Sequence, residues 1–342
     1  MRAVLSARGE SSDLTVDGAW PLSEPFSIGS VEISNRVVQA PLAGIANWAY
    51  RTQSRRHGAG ATVSEMIASQ GLVHESQKTR DMLRVLPDEG PMGVQLFGAD
   101  PVAMATAARQ VEDAGADFVD INMGCPVKKI CRTGAGAALL TDPEVGGSVI
   151  AAMVDAVDIP VTVKMRRGMT PETSDPVTAA RRFQDAGAAA ICFHPRAAAD
   201  EYDGTADHAI TAQVVDAVDI PVIASGDIND PATAYEILQQ TGCAAIAIGR
   251  GALGNPWLFG ALAEGRPVEI PPEATIVDEL ERFALDICEA LGEHRACPYL
   301  RKFYPWYLAT LSVPKADMQR MLTAPSVREA LGVVRAFTAV AA

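Results

Sequence analysis

Long hydrophobic runs are missing from this 342-residue chain. None approaches the roughly 18 apolar residues of a spanning helix, which excludes a helical membrane protein. Arg2 and Arg8 are not followed by a continuous apolar stretch before Glu10 and Asp13, so no secretory leader is expected. Cysteine is sparse. Six residues without a framework spacing exclude a disulfide scaffold and fit reduced thiols in a cytoplasm. Cys125 and Cys131 have no His-rich partner segment, so no metal site is expected. Basic charge is also short. Twenty-nine Lys and Arg against 42 Asp and Glu leave −13, which disfavours tight non-specific binding of nucleic acid by the chain as a whole.

What is present is a globular composition: 48% apolar, 21% charged and 6% aromatic residues, enough for a sizeable core. Charge is unevenly placed. Arg295 to Arg335 holds seven basic residues against Asp317 and Glu329, whereas Glu269 to Glu293 holds eight acids and only Arg282. Such a basic segment can face a polyanion, although a solvated helical face gives the same count.

Residues 1–25 lack periodicity and read as a flexible extension. From about Arg36, Val/Ile/Phe-rich runs alternate with helical segments, predicting strands near 36–42, 61–66, 92–97, 117–123, 161–166, 189–194, 221–225 and 244–249. An octapeptide repeat supports this: Val154 to Val161 recurs letter for letter as Val215 to Val222. A looser signature, Asp113-Ala114-Gly115-Ala116 and Asp185-Ala186-Gly187-Ala188, with weaker copies around Gly58 and Gly242, places a Gly where each helix must stop before the next strand. Eight βα units with a two-unit rhythm predict an α/β fold, a (β/α)8 TIM barrel over 26–270. After Pro271-Pro272 only helical periodicity remains, predicting a small C-terminal helical domain over 271–342.

The chemistry of such a barrel lies at the C-terminal ends of its strands. There the sequence places Ser64-Glu65, Gln95, Asn122 to Pro126, Lys164 and Arg166, His194-Pro195-Arg196, Ser225-Gly226-Asp227 and Gly249-Arg250-Gly251. Gly249 to Gly254 matches G-x-G-x-x-G only formally, because no further βαβ unit follows. It reads better as a phosphate site, with the Gly-containing loops after strands seven and eight, a helix from about Asn255 and Arg250 as charge-assisted donor; a tight βα turn is the plainer alternative. Lys164, inside an apolar strand, faces either an anion or electron-rich ring, or a luminal carboxylate at Asp120 or Glu65. The Gln95 amide can pair with a heterocycle edge. Cys125, between Gly124 and Pro126, is a nucleophile or an acid; Lys128, Lys129 and Arg132 nearby would lower its pKa.

Ala40-Pro41-Leu42-Ala43-Gly44-Ile45, Val63-Ser64-Glu65-Met66, Val94-Gln95-Leu96, Asp120 to Lys129, Val163-Lys164-Met165-Arg166, Gly226-Asp227-Ile228, Ile248-Gly249-Arg250 and Leu300 to Leu308 together resemble the bacterial tRNA-dihydrouridine synthases, the B subgroup most closely. The resemblance implies an FMN-dependent barrel reduced by NADPH and a helical tRNA-recognition domain. By position it implies Cys125 as the proton donor to uracil C5. It places Pro41, Leu42 and Ala43 along the flavin and Gln95 and Lys164 at its ring. His194, Ser225, Gly226, Asp227, Gly249 and Arg250 would lie toward the ring edge, ribityl chain and phosphate. Asn122, Lys128, Lys129, Arg132, Arg295, Arg301 and Lys302 would meet the tRNA. A monomer is expected. The sequence departs from the family pattern at Ser225 (usually Asn), at Pro195 and Ala197 (usually Gly and Thr) and at Arg132 (often Asn). The alternatives are a flavin barrel reductase of a free pyrimidine or enone, a tRNA-binding or folding factor with vestigial catalysis, and a non-flavin phosphate-binding barrel.

Overall fold

The computed structural model describes residues 20–87 and 89–341. Two short strands, β1 (Phe26–Ile28) and β2 (Val31–Ile33), form an antiparallel hairpin. A parallel sheet follows: β3 (Val37–Gln39), β4 (Ala61–Val63), β5 (Ile67–Ala68), β6 (Met92–Phe97), β7 (Phe118–Met123), β8 (Val161–Arg166), β9 (Ala190–His194), β10 (Val222–Ser225) and β11 (Ala245–Ile248). β11 pairs with β3, and β4 pairs with β6, so the sheet closes. All eight predicted strands are present, in a closed parallel barrel. The two-residue β5 is an addition along the edge of β6.

Local chemistry explains the outer helices. Asp100, Asp142, Asp175 and Asp230 each accept a backbone N–H at a helix start, and each is followed by Pro at the first helical position. Proline fixes φ there and lacks only a donor that has no intrahelical partner. At the other ends, Gly58, Gly115, Gly187 and Gly242 all have positive φ, as the repeated Gly signature requires.

The lumen is built from small residues. Ala40, Ala61, Ala190, Ala245 and Ala247 face inward with Val38 and Val63, while Ile28 and Phe118 fill the end where the strands begin. Gly93 makes room for that ring: a Cβ there would sit 2.1 Å from Phe118 Cε2. The result is a sealed floor below a narrow axial cavity that reaches Pro41 and Lys164.

The expected extension ends earlier than residue 25. Trp20 and Leu22 are buried; the Trp20 indole donates to the Leu262 carbonyl at 2.6 Å and stacks on Tyr235. Two large apolar side chains in a stretch without periodicity still have core surface to cover. Residues 1–19 of that expectation lie outside the described residues.

Beyond Pro272 come the helices Glu273–Leu291, Glu293–Leu300, Tyr304–Tyr307, Lys315–Thr323 and Val327–Ala341. Their core is shared with the barrel's first helix, Trp48–Arg56: Trp48, Ala49 and Tyr50 pack in one cluster with Leu280, Phe283, Phe303 and Tyr307. Polar ties reinforce this seam. Gln53 donates to Glu279 and Tyr307, and Arg56 pairs with Glu279 at 3.0 Å and Asp286 at 3.2 Å. Among the described residues no helix is long and apolar enough to cross a membrane, and no group of three His, Cys, Asp or Glu is placed to hold a metal ion.

Candidate active site

Three adjacent strands carry a rung of polar side chains across the barrel. In register, Gln95 on β6 stands beside Asp120 on β7, and Asp120 beside Thr162 on β8. Thr162 Oγ1 donates to Asp120 Oδ1 at 2.7 Å, and Gln95 Nε2 donates to Asp120 Oδ2 at 2.7 Å. Asn122 Nδ2 then donates to Gln95 Oε1 at 2.8 Å. Burial raises the Asp120 carboxyl to about 6, against the Gln95 and Thr162 bonds and the Lys164 charge, which pull it down. Gln95, expected to offer its amide to a heterocycle, thus has both ends of that amide engaged within the protein.

Asn122 Oδ1 accepts from the backbone N–H of Cys125 at 2.9 Å and of Gly124 at 3.2 Å. The Cys125 carbonyl accepts in turn from Ala137 N and Cys131 Sγ. The half-buried Cys125 is therefore fixed from both sides. Its pKa is raised, first by burial; the Val127 N–H and Arg166 only partly oppose this. The lowered pKa expected from Lys128, Lys129 and Arg132 is not found. Those three side chains are exposed on and beside the short helix Lys128–Cys131, where water screens them. A thiol that keeps its proton at neutral pH is an acid rather than a nucleophile.

Lys164 faces the axial cavity together with Asp120, Thr162 and Cys192. It forms no ion pair with Asp120 or Glu65 among the described residues, so the luminal salt bridge is not made. Glu65 instead accepts from Gly44 N at 2.9 Å, in the loop that carries Pro41, Leu42 and Ala43. The cation is left for something in the cavity.

The β9–β11 side is organised by a residue that the sequence reading passed over as a site residue. Arg196 is buried, pairs with both Asp227 oxygens at 3.0 and 2.7 Å and donates to the Asp203 and Gly204 carbonyls. The Asp227 carboxylate is thereby held by Arg196 and the Ala206 N–H while its side chain stays exposed. His194 Nε2 lies 3.3 Å from Arg196 Nη1 and so accepts from it. Burial first, then Lys164, Arg166, Arg196 and His208, lower the His194 pKa to about 2, so the ring is neutral. Gly226, at φ 118°, packs close to this ring; a Cβ there would come within 2.7 Å of His194 Cδ2. Ser225 is buried at the end of β10.

Arg250 is exposed, with its guanidinium 3.7 Å over the Tyr202 ring, which Arg166 also approaches at 5.4 Å. Tyr202 is a second residue missed in the sequence; its signal was a lone aromatic in an Ala- and acid-rich loop. The helix expected from Asn255 is a correction. A single 3-10 turn, Arg250–Ala252, follows β11, and the next helix, Leu258–Glu264, starts after a tight turn in which Leu258 N–H donates to the Asn255 carbonyl and Phe259 N–H to the Pro256 carbonyl. Helix-end attraction does not support an anion at Gly249. What remains there is the open Gly249 backbone, with Leu42 Cδ2 at 3.6 Å from a virtual Cβ, and the Arg250 charge.

The basic segment is partly spent on the protein itself. Lys302 donates to the Gly44 carbonyl at 2.6 Å and lies 3.8 Å over the Tyr299 ring, half-buried rather than free for a polyanion. Arg320 pairs with Asp317, and Arg335 with Glu281. Arg295 and Arg301 stay exposed, each donating to a backbone carbonyl.

The family described as Dihydrouridine synthase (Dus) matches residues 38–335. The tRNA-dihydrouridine synthase B of Pseudomonas aeruginosa is 39% identical over 290 residues, covering 83% of this chain and 87% of that protein. The Escherichia coli protein of the same name is 39% identical over 285 residues, 82% of this chain and 89% of its own length. Histamine dehydrogenase from Rhizobium sp. 4-9 superposes with a TM-score of 0.60 at 15% identity, over 78% of this chain and 51% of that one. A morphinone reductase mutant in complex with tetrahydroNAD gives 0.52 at 15% identity, over 74% and 93%. At such identities the two structures speak for the barrel fold alone.

Proposed function

The chain belongs to the dihydrouridine synthase family, and from that premise we propose that it reduces uridines in tRNA to 5,6-dihydrouridine, with FMN as cofactor and NADPH as reductant. The residues present fit a flavin. The narrow axial cavity is lined by Ala40, Pro41 and Lys164 beneath the place the ring would take, Lys164 has no ion-pair partner among the described residues, and Arg250 stands exposed beside the open Gly249 backbone. Pro41, Leu42, Ala43, Gln95, Lys164, His194, Ser225, Gly226, Gly249 and Arg250 would hold the group; Asp227 would contribute through its backbone and through Arg196. When bound, the flavin supplies the hydride that goes to uracil C6.

The protein's own part is proton delivery and orientation. Hydride addition at C6 builds enolate-like charge next to C5. Cys125 Sγ–H gives its proton to C5, and its raised pKa keeps that proton in place until the charge develops. Asn122 fixes the thiol loop. Lys164 stabilises negative charge on the ring beside it. Neutral His194 donates or accepts without adding charge. A uridine inside folded tRNA must be turned outward to reach the mouth. The barrel through residue 270 would carry the cofactor, and the helices from 271 the tRNA, with exposed Lys128, Lys129, Arg132, Arg295 and Arg301 as phosphate contacts.

The observation that carries the reading is a proton-bearing thiol fixed at the mouth of a barrel whose luminal lysine has no anionic partner. The test has two arms. The purified protein is expected to carry flavin absorbance, with a released mass equal to FMN. Dihydrouridine mapping of tRNA from a strain lacking this gene is expected to lose specific sites, restored by the intact gene. A colourless protein that takes up no FMN, or tRNA with every dihydrouridine retained, overturns the proposal.

A further inference from the structure

The rung of β6, β7 and β8 has a direction. An ionised carboxylate only accepts hydrogen bonds. Asp120 spends one oxygen on Thr162 and the other on Gln95, so Gln95 must turn its NH2 toward Asp120 and its oxygen toward Asn122. Asn122 must then turn its own NH2 toward Gln95, which leaves its oxygen facing the N–H groups of Gly124 and Cys125. Either amide flipped alone would set donor against donor or acceptor against acceptor in a buried place. All three side chains are buried, so water is not at hand to repair a mismatch.

We propose that Asp120 is a positioning residue: its carboxylate sets the donor–acceptor polarity of the Gln95–Asn122 relay and, through Asn122, holds the Cys125 backbone in place. Asp120 lines the axial cavity below the mouth and does not touch the thiol; it reaches the thiol loop across two amides. The proposal rests on the functional reading only for what the thiol is aimed at, since the relay itself is defined by hydrogen bonds within the chain.

The relay predicts rescue rather than additive damage. In Asp120→Asn the side chain can keep accepting from Thr162 only by presenting an NH2 group where Gln95 needs an acceptor; turned the other way, its NH2 meets Thr162 Oγ1 and the buried Thr162 proton loses its acceptor. In the first orientation either the Gln95 bond is lost, or both amides flip and Asn122 turns its NH2 against the Cys125 N–H. Adding Gln95→Glu restores the order. The new carboxylate accepts from position 120 on one side and from Asn122 Nδ2 on the other, and the Asn122 oxygen returns to Cys125.

The experiment is iodoacetamide alkylation of Cys125 in the full-length protein, followed by peptide mass spectrometry and normalised to the unfolded chain. Asp120→Asn is expected to alkylate about three- to tenfold faster than the parent, the change that loss of one buried hydrogen bond of the loop produces. Asp120→Asn with Gln95→Glu is expected to return to within about twofold of the parent, the ordinary residue of a non-additive pair. If Asp120→Asn is insoluble, recovery of soluble protein with parental alkylation in the double variant carries the same meaning. Parental alkylation in the single variant, or a double variant no better than the single, overturns the relay. Neither readout uses flavin or tRNA. Loss of the relay with dihydrouridine formation intact in the parent therefore refutes the relay alone, and a colourless parent with a rescued double variant refutes the functional reading alone.

Discussion

The barrel mouth and the helical region spend their cations to different degrees. At the mouth, Lys164 and Arg250 have no carboxylate within ion-pair distance among the described residues, and Arg166 is held by the Ala197 carbonyl rather than by an acid. In the seam between barrel and helices Arg56 and Lys302 are engaged, and within the helical region Arg320 and Arg335 pair with acids. Of the seven basic residues in the helical segment, Arg320 and Arg335 pair with acids and Lys302 with a carbonyl of the barrel, while Arg295, Arg301, Lys315 and Arg328 stay exposed without a carboxylate partner among the described residues. Charge along a chain becomes charge on a surface only after neighbouring acids and carbonyls have been subtracted, and those neighbours come from distant segments.

The largest test of this contrast is at the mouth. Cys125→Ala is expected to keep flavin and tRNA affinity but to lose roughly 10²- to 10⁴-fold in turnover, the worth of a positioned general acid. Single-turnover dihydrouridine formation measures it, and near-parental turnover would remove the acid from the mouth.

The next test is a cation spent inside the protein. Arg51 is buried against Glu89 and also donates to the Ala46 and Arg84 carbonyls at 3.1 and 2.8 Å. Arg51→Met leaves a buried carboxylate alone and is expected to cost about 3–5 kcal/mol in denaturant unfolding. A cost below about 1 kcal/mol would mean that this pair behaves like a surface bridge.

His194 tests the mouth by pH. Its folded pKa is depressed to about 2, by burial first and then by Lys164, Arg166, Arg196 and His208. Below about 6.5 the unfolded chain therefore binds a proton that the folded chain refuses, and stability falls as pH falls, by about 1.4 kcal/mol per pH unit from this group. His194→Asn is expected to lose less stability than the parent between about pH 6 and pH 4. Parallel stability curves for the two proteins would place the ring in water rather than among cations.

The smallest effect sharpens the helical side. Arg301→Glu is expected to weaken tRNA binding and to reduce the salt slope by about 1. Lys302→Met, whose parent side chain already serves Gly44, is expected to leave that slope unchanged. Equal slopes for the two variants would return Lys302 to the RNA surface.

Much of the site was legible because its signals are local. Lys164 and Arg166 stand out as charges in an apolar strand, and Cys125 sits between Gly124 and Pro126 where a strand ends. Arg196 and Tyr202 were not legible as site residues, since nothing within a few positions shows that one closes on Asp227 and the other lies under Arg250. The internal bond of Lys302 was not legible for the same reason: its partner is a carbonyl 258 residues away. Trp20 and Leu22 escaped because a stretch too short for periodicity can still supply a plug.

By itself the sequence determined the eight-strand alternation, the Asp-Pro helix starts, the Gly stops and the placement of polar residues at strand ends, because each of these follows from the preferences of a few neighbouring residues. The tertiary structure alone decided which charges stay unpaired, which way the amides of Gln95 and Asn122 point, and whether the Cys125 thiol keeps its proton. Those properties are sums over groups brought together from separate strands in a low-dielectric interior, and no window along the chain contains them all.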